Sequence, residues 1–242
     1  IGFAGTVLQS LGYFFIEENQ YTFTFFQNLI NLPGLNKSIF LTMFVGFLST
    51  FLSLIISQII LLKLFSSKYY LFLKKIIIPL VAFPHITMAV GVTFLFSSSG
   101  FFSRINSYFF TSLERPPNST LFPDEYGFFL ILGLILKETP FFLLMSINIL
   151  SQFKSKLVYD LGKTLNHISL GSWIYFILPH LYKKLKISII IVLIFSASVV
   201  DMSFFLAPST PSTLSIRILE LYQKTDLNNI SLASCMSLLQ FI

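Results

Sequence analysis

Charged residues are scarce in this sequence. Only 11% of its 242 residues are Asp, Glu, Lys or Arg, which is less than half of the ~25% of an ordinary soluble domain. Hydrophobic residues make up 55% of the chain, and thirty residues are Phe. So little polar surface excludes a water-soluble globule, and so many apolar and aromatic residues exclude a disordered chain. The composition predicts an integral membrane protein.

Cysteine and the common catalytic motifs are also nearly absent. The single cysteine, Cys235, excludes a disulfide within the chain, and no Cys/His spacing resembles a zinc site. The sequence contains no G-x-x-x-x-G-K-[ST] phosphate loop and no nucleophile–base constellation. The net charge of +6 is typical of basic cytoplasmic loops in a membrane protein. We therefore expect no enzymatic activity, no cofactor, no metal and no nucleic-acid partner.

Four runs are long and apolar enough for a spanning helix of ~20 residues. Their continuous apolar character favours helices over the alternating strands of a barrel. Two shorter runs at the ends of the sequence look like parts of further spans. The predicted fold is an all-α, polytopic transmembrane bundle with five or six spans. The four long runs are Ile39–Leu62, Ile76–Ser99, Gly127–Leu150 and Ile187–Ala207, and the two partial ones are Ile1–Ile16 and Ile230–Ile242.

The two ends of the sequence suggest a piece of a longer polypeptide. It begins at Ile1 and stops at Ile242 within an apolar run. We interpret residues 1–35 as the end of a preceding transmembrane helix plus an exterior segment. Residues 36–242 are then one transmembrane domain, incomplete at its C-terminus.

Lysines are distributed unevenly between the loops. Ten of the sixteen basic residues fall in two loops that hold one acid, Asp160. Because loops rich in Lys and Arg stay in the cytoplasm, these two loops are predicted to be cytoplasmic. The basic residues are Lys63, Lys68, Lys74, Lys75, Lys154, Lys156, Lys163, Lys183, Lys184 and Lys186. The acids on the opposite side are Glu17, Glu18, Glu114, Asp124, Glu125, Glu220 and Asp226.

The second of these loops, Ser151–Lys186, contains a helical pattern. Four aliphatic residues recur at i, i+4, i+8 and i+11, which places them on one helical face. They are Leu157, Leu161, Leu165 and Ile168, and the other face carries Lys156, Asp160, Lys163, Thr164 and His167. Such a helix can lie on the lipid surface, cap the helix bundle, or dock into a groove of a partner.

The same loop carries a family resemblance. Asp160-Leu161-Gly162-Lys163-Thr164-Leu165-Asn166, then Trp173, then Leu178-Pro179, resembles the "EAA" loop of binding-protein-dependent ABC importer permeases. The resemblance to this family, with its type I importer fold, extends from about Asn36 to the C-terminal end. Gly12-Tyr13, Tyr21-Thr22-Phe23 and Pro33-Gly34 are similar to segments of permeases for thiamine, iron(III) and related solutes, some of which fuse two halves.

The resemblance implies a coupling helix that docks on a separate ATPase subunit. The coupling residues would be Asp160, Leu161, Gly162, Leu165, Asn166 and Pro179, within a loop around 157–179. The implied partners are an ATP-binding subunit, a periplasmic solute-binding protein, a second permease half, fused or separate, and the lipid bilayer of the bacterial inner membrane. Leu161 departs from the motif, as do Asp160 and Asn166. Asn replaces a glycine there, and it is the next best residue for a left-handed turn.

Two ionisable residues fall in the middle of a predicted span. Lys137 and Glu138 are adjacent in Gly127–Leu150, so their side chains are ~100° apart and cannot pair with each other. An ionisable group at mid-bilayer costs roughly 2.5–3.5 kcal/mol and needs a partner or a wet cavity. Asp201 is the predicted partner of Lys137. The alternatives are a buried pair that locks two helices, a solvated translocation pathway, and a proton relay.

Three functions can be compared with these sequence features. The permease subunit of an ABC importer explains the spacing from Asp160 to Pro179. A secondary transporter driven by an ion gradient through Lys137, Glu138 and Asp201 explains the intramembrane charges but not that spacing. A membrane enzyme has no supporting motif. Two smaller predictions are that Trp173 and Tyr175 anchor at the membrane interface and that His85 is an interior histidine.

Overall fold

The computed structural model describes residues 2–13, 23–111, 122–164, 169–224 and 226–241. Over these ranges all regular elements are helical and none is a strand, which confirms the all-α prediction. Two π-helical turns, Ser107–Thr111 and Trp173–Ile177, interrupt the α-helices. The α-helices are Gly2–Ser10 (α1), Thr24–Ile30 (α2), Leu35–Leu64 (α3), Tyr70–Ala82 (α4), His85–Phe96 (α5), Phe101–Asn106 (α6), Phe128–Ser151 (α7), Ser155–Thr164 (α8), Ser169–Ser172 (α9), Leu178–Ser198 (α10), Asp201–Leu206 (α11), Leu214–Tyr222 (α12) and Leu227–Phe241 (α13).

Three segments of the described chain are long and apolar enough to cross a membrane. They are Leu35–Leu64, His85–Phe109 and Phe128–Ser151. The first contains the predicted run Ile39–Leu62. The third contains the predicted run Gly127–Leu150 except for its first residue, Gly127. The prediction of a helical membrane protein therefore agrees with the structure, while the total of five or six spans stays a prediction.

The other two predicted runs differ from the observed helices. Ile76–Ser99 is interrupted, because α4 ends at Ala82 and α5 begins at His85. Phe83, between them, has an extended backbone with ψ 131°, as expected for a residue that precedes a proline, here Pro84. The run Ile187–Ala207 is divided between α10, which already begins at Leu178, and the short α11.

The chain divides into two compact units. Unit 1 comprises residues 1–45, 92–130 and 197–242, and unit 2 comprises residues 46–91 and 131–196. The core of unit 1 contains Leu29, Leu35, Leu214, Cys235 and Met236, all buried. Cys235 therefore behaves as a small apolar side chain, and its thiol donates to the carbonyl of Ser10 at 3.4 Å.

Unit 2 has a core of aliphatic residues with an aromatic cluster beside it. The ring of Phe65 packs edge-to-face against Tyr70, Tyr159 and Trp173, with centroids 5.4–5.7 Å apart. Such contacts add roughly 0.5–1.5 kcal/mol per pair beyond simple burial. Burial in this cluster also raises the pKa of Tyr70 above its usual value. The cluster fixes α8 on unit 2, because Tyr159 belongs to that helix.

Candidate functional site

Lys137 and Glu138 lie next to each other on α7 in unit 2, and both side chains are buried. Lys137 is 7% exposed and Glu138 is 5% exposed. The helix continues through Pro140, although a proline within a helix removes one backbone hydrogen bond. The carbonyl oxygens that bond to Lys137 are instead those at the end of α4, before Pro84, which lack a helical hydrogen-bond donor.

Lys137 bonds to the end of α4. Its Nζ donates to the carbonyl oxygen of Val81 at 2.8 Å and to that of Phe83 at 2.5 Å. The last carbonyls of an α-helix have no intrahelical donor, and the helix dipole gives this end a partial negative charge. An ammonium group is therefore a suitable partner for both oxygens. Lys137 caps the C-terminus of α4 from a different helix.

Glu138 lies beside the first residue of the next helix. One of its carboxylate oxygens is 3.7 Å from Nε2 of His85, which begins α5. The imidazole ring also packs against the ring of Phe195 on α10, with centroids 4.7 Å apart. His85 is thus partly buried within unit 2, with 29% of its side chain exposed.

These groups line a cavity of about 230 Å³ within unit 2. Polar groups and apolar side chains share its wall, so a small solute, a few waters or a proton-carrying group could occupy it. No group of three or more His, Cys, Asp or Glu that could hold a metal occurs in the described residues. The lining residues are Val81, His85, Lys137, Glu138, Phe141, Ile191, Val192 and Phe195.

Asp201, the predicted partner of Lys137, is the first residue of α11 in unit 1, and its side chain is exposed. Lys137 already has two backbone acceptors in its own unit, so burial of its ammonium does not require an acid. These backbone partners are not evident from the sequence, where an acidic side chain is the obvious partner for a buried lysine. Pro84 was the available signal, because a proline that breaks an apolar run releases carbonyl oxygens.

Helix α8 matches the predicted amphipathic segment in its described part. Ser155, Tyr159 and Gly162 are buried against unit 2, whereas Leu157 and Leu161 are more than half exposed. Asp160 is exposed as well. Lys163 places its ammonium 4.6 Å from the centre of the Tyr159 ring, a cation–π contact. The apolar face with Leu157 and Leu161 is therefore left uncovered by the described chain.

Gly162 lies where α8 approaches the following helices closely. A Cβ atom at this position would be 2.9 Å from Oγ of Ser172, 3.0 Å from its Cβ and 3.0 Å from a ring carbon of Phe176. Only glycine fits this contact without a shift of the Ser172 and Phe176 side chains. Close packing therefore explains why the motif has a glycine at position 162, and the sequence did not reveal this.

The remaining coupling candidates are placed differently. Leu165 and Asn166 lie outside the described residues. Pro179 is the second residue of α10 and is exposed. The π-helical turn Trp173–Ile177 precedes it, separated by the single residue Leu178. A proline lacks the N–H of a regular helical bond, and wide turns of this kind accommodate such a loss.

The prediction that Trp173 anchors at the membrane interface is wrong. Its side chain is only 2% exposed and belongs to the aromatic cluster of unit 2. Its neighbour Tyr175 is 68% exposed. The sequence predicts the same role for both residues because aromatic residues are enriched at interfaces, and only their packing distinguishes them.

The chain is similar to a known protein over part of its length. No protein-family model matches the chain. Over 140 residues, which are 57% of this chain, it is 28% identical to the inner membrane ABC transporter permease protein YnjC of Escherichia coli (strain K12). The chain spans only a quarter of that relative's length. The similarity supports the permease family and an inner-membrane location, and it does not support the narrower thiamine and iron(III) group.

Proposed function

We propose that this chain is part of the transmembrane permease subunit of a type I ABC importer. It would provide the solute pathway and couple it to a separate ATPase through the segment around 157–179. The observation that carries the proposal is the uncovered face of α8, where Leu157 and Leu161 are exposed beside Asp160. The similarity to an inner membrane ABC transporter permease gives independent support.

The contacts of α8 suit a helix that transmits movement. One face is held to unit 2 by the buried Tyr159 and by Gly162. The opposite face offers apolar side chains to a partner. A displacement of α8 would reach the turn Trp173–Ile177 through Gly162 and Phe176, and that turn leads directly into α10. Because close-packed interiors transmit strain, docking on an ATPase can move α10.

The partners follow from the same proposal. The described chain has no phosphate-loop sequence, so ATP hydrolysis requires an ATP-binding subunit. A permease of this class also works with a second permease half and with a periplasmic solute-binding protein. The chain would reside in the bacterial inner membrane as a multi-pass protein.

Substitution of Leu161 tests the docking face. The full-length protein is co-expressed with its ATPase, and Leu161→Asp is compared with Lys156→Asp. The two positions are about 140° apart around the helix, and both side chains are exposed. Leu161→Asp should release the ATPase during purification and abolish ATP-dependent uptake, because a charge replaces an apolar contact. Lys156→Asp should retain both.

The membrane content of each variant is the control for folding. If Leu161→Asp inserts normally and still co-purifies with the ATPase, α8 is not a coupling helix. It then caps the bundle or lies on the lipid surface.

An ion-driven secondary transporter is the alternative, and the buried charges favour it. Lys137, Glu138 and His85 share one cavity, and intramembrane ionisable groups commonly form ion or proton pathways. In this case uptake into proteoliposomes would follow an imposed ion gradient without ATP, and Glu138→Gln would abolish it. Asp201 would then also be required. Under the ABC importer proposal, uptake instead requires ATP and survives collapse of the gradient.

A further inference from the structure

A second polar cavity lies in unit 1, and the proposed function does not use it. Its volume is about 470 Å³. Two cationic side chains, Lys37 and Arg217, line it together with the hydroxyl-bearing Ser38, Thr210 and Ser212. Among the described residues that line this cavity, none is an Asp or a Glu. The wall is thus rich in hydrogen-bond donors and positive.

Arg217 is held in a fixed position by neighbouring oxygens. Its Nη1 donates to Oγ of Ser38 at 3.2 Å, and its Nη2 donates to the carbonyl oxygen of Pro33 at 3.0 Å. A guanidinium has five N–H donors, so these two bonds leave donors for a ligand. Because neither partner is charged, the positive charge of Arg217 is not neutralised by them.

Lys37 contributes a second positive charge. It is exposed in the first turn of α3, and it has no hydrogen-bond or ion-pair partner in the part of the chain that the structure describes. The first turn of α12 also contributes to this region, since it contains Arg217. The N-terminal ends of α3 and α12 carry partial positive charge, which adds to the attraction of the two side chains for anions.

We propose that this cavity binds a phosphate-type oxyanion. Arginine and lysine together with hydroxyl donors are the groups that bind such anions. The anion can be a free solute or the headgroup phosphate of a lipid. The position of the cavity favours a lipid headgroup, because α3 is a segment long enough to span a membrane and it begins at this cavity.

Equilibrium dialysis with radiolabelled inorganic phosphate tests the site. The full-length protein is purified in a neutral detergent, and ionic strength is held constant with sodium chloride. The wild-type protein should bind phosphate saturably. Lys37→Gln should weaken this binding by roughly tenfold or more, which is what the loss of one charge-assisted hydrogen bond produces.

Lys224→Gln is the matched control. Lys224 is an exposed lysine of the same unit and does not line the cavity. Lys37 is exposed and makes no hydrogen bond or ion pair within the described residues, so its substitution breaks fewer contacts than that of Arg217, which bonds to Pro33 and Ser38. Absence of saturable binding to the wild type, or equal affinity of Lys37→Gln and Lys224→Gln, overturns the proposal.

Lipid nanodiscs distinguish the two sources of the anion. Phosphate binding is compared in discs of phosphatidylcholine alone and in discs that also contain anionic phosphatidylglycerol. If the anionic lipid competes with phosphate in the wild type but not in Lys37→Gln, the occupant is a lipid headgroup. If binding is the same in both discs, the site takes a free anion. The test contains no ATPase, so it succeeds or fails independently of the coupling proposal.

Discussion

The ammonium group of Lys137 lies 2.5 Å from the carbonyl oxygen of Phe83, the residue that directly follows α4. The next residue of α7, Glu138, is 3.7 Å from His85, the residue at which α5 begins. The cation thus meets the negative end of α4, and the acid contacts the imidazole of the first residue of α5. Two adjacent residues of α7 therefore contact both sides of the break at Pro84.

Removal of the Lys137 ammonium should destabilise unit 2. Lys137→Met keeps the length and apolar stem of the side chain but leaves the carbonyls of Val81 and Phe83 without their donor. Hydrogen bonds to a charged group contribute about 1.5–3 kcal/mol, and we expect a loss of that size in the free energy of unfolding. The measurement is unfolding by SDS in mixed micelles.

Asp201 supplies the control for this prediction. Asp201→Asn should change stability by less than about 0.5 kcal/mol, as is usual for an exposed position. The double variant should then equal the sum of the single ones. A double variant that is more stable than Lys137→Met alone would instead support the Lys137–Asp201 pair predicted from the sequence.

Gly162→Ala should displace α8. The added methyl group would be within 3.0 Å of Ser172 and Phe176, and overpacking of this kind costs about 1–3 kcal/mol. We expect a lower melting temperature and weaker co-purification of the ATPase. Because Ser172 makes the shortest of these contacts, Gly162→Ala combined with Ser172→Gly should recover part of the loss.

Gly91→Ala is the comparison for this substitution. Gly91 lies within α5, and a Cβ atom there would have no neighbour within 4 Å. The change should be neutral or slightly stabilising, since alanine favours helix more than glycine does. If Gly162→Ala behaves like Gly91→Ala, close packing of α8 is not required.

Asp124 is expected to fix the beginning of α7. Its Oδ2 accepts the N–H groups of Phe128 at 2.6 Å and Tyr126 at 3.1 Å, and its Oδ1 accepts that of Phe129 at 3.1 Å. Loss of such a cap costs about 0.5–2 kcal/mol. Asp124→Ala should lower thermal stability by that amount, whereas Glu125→Ala, at the exposed neighbouring position, should not. Equal effects of the two variants would exclude the capping role.

Cysteine labelling tests the predicted orientation. Tyr126→Cys should react with a membrane-impermeant maleimide added to intact cells, because the segment containing Asp124 is predicted to be exterior. Lys68→Cys, Lys154→Cys and Lys183→Cys should react only after the membrane is opened. Cys235 is buried, so it adds little background. Labelling of position 154 in intact cells would contradict both the orientation and the coupling proposal.

The class of protein and the amphipathic character of α8 were predictable from the sequence. Low charge, long apolar runs and the spacing of Leu157 and Leu161 are properties of the chain itself, because lipid requires apolar surface and a helix repeats every 3.6 residues. The resemblance around Asp160 and Gly162 likewise depends only on residue order. None of these signals contains information about contacts between distant segments.

The tertiary structure decided the partners of the unusual residues. Lys137 bonds to carbonyl oxygens of another helix, Trp173 is buried while Tyr175 is exposed, and Gly162 is needed for its approach to Ser172. Pro140 stays within its helix, whereas the helix is broken before Pro84. Both prolines remove a backbone donor, but only the released carbonyls before Pro84 meet a lysine. The sequence shows which groups need partners, and the packing of distant segments determines the groups that they contact.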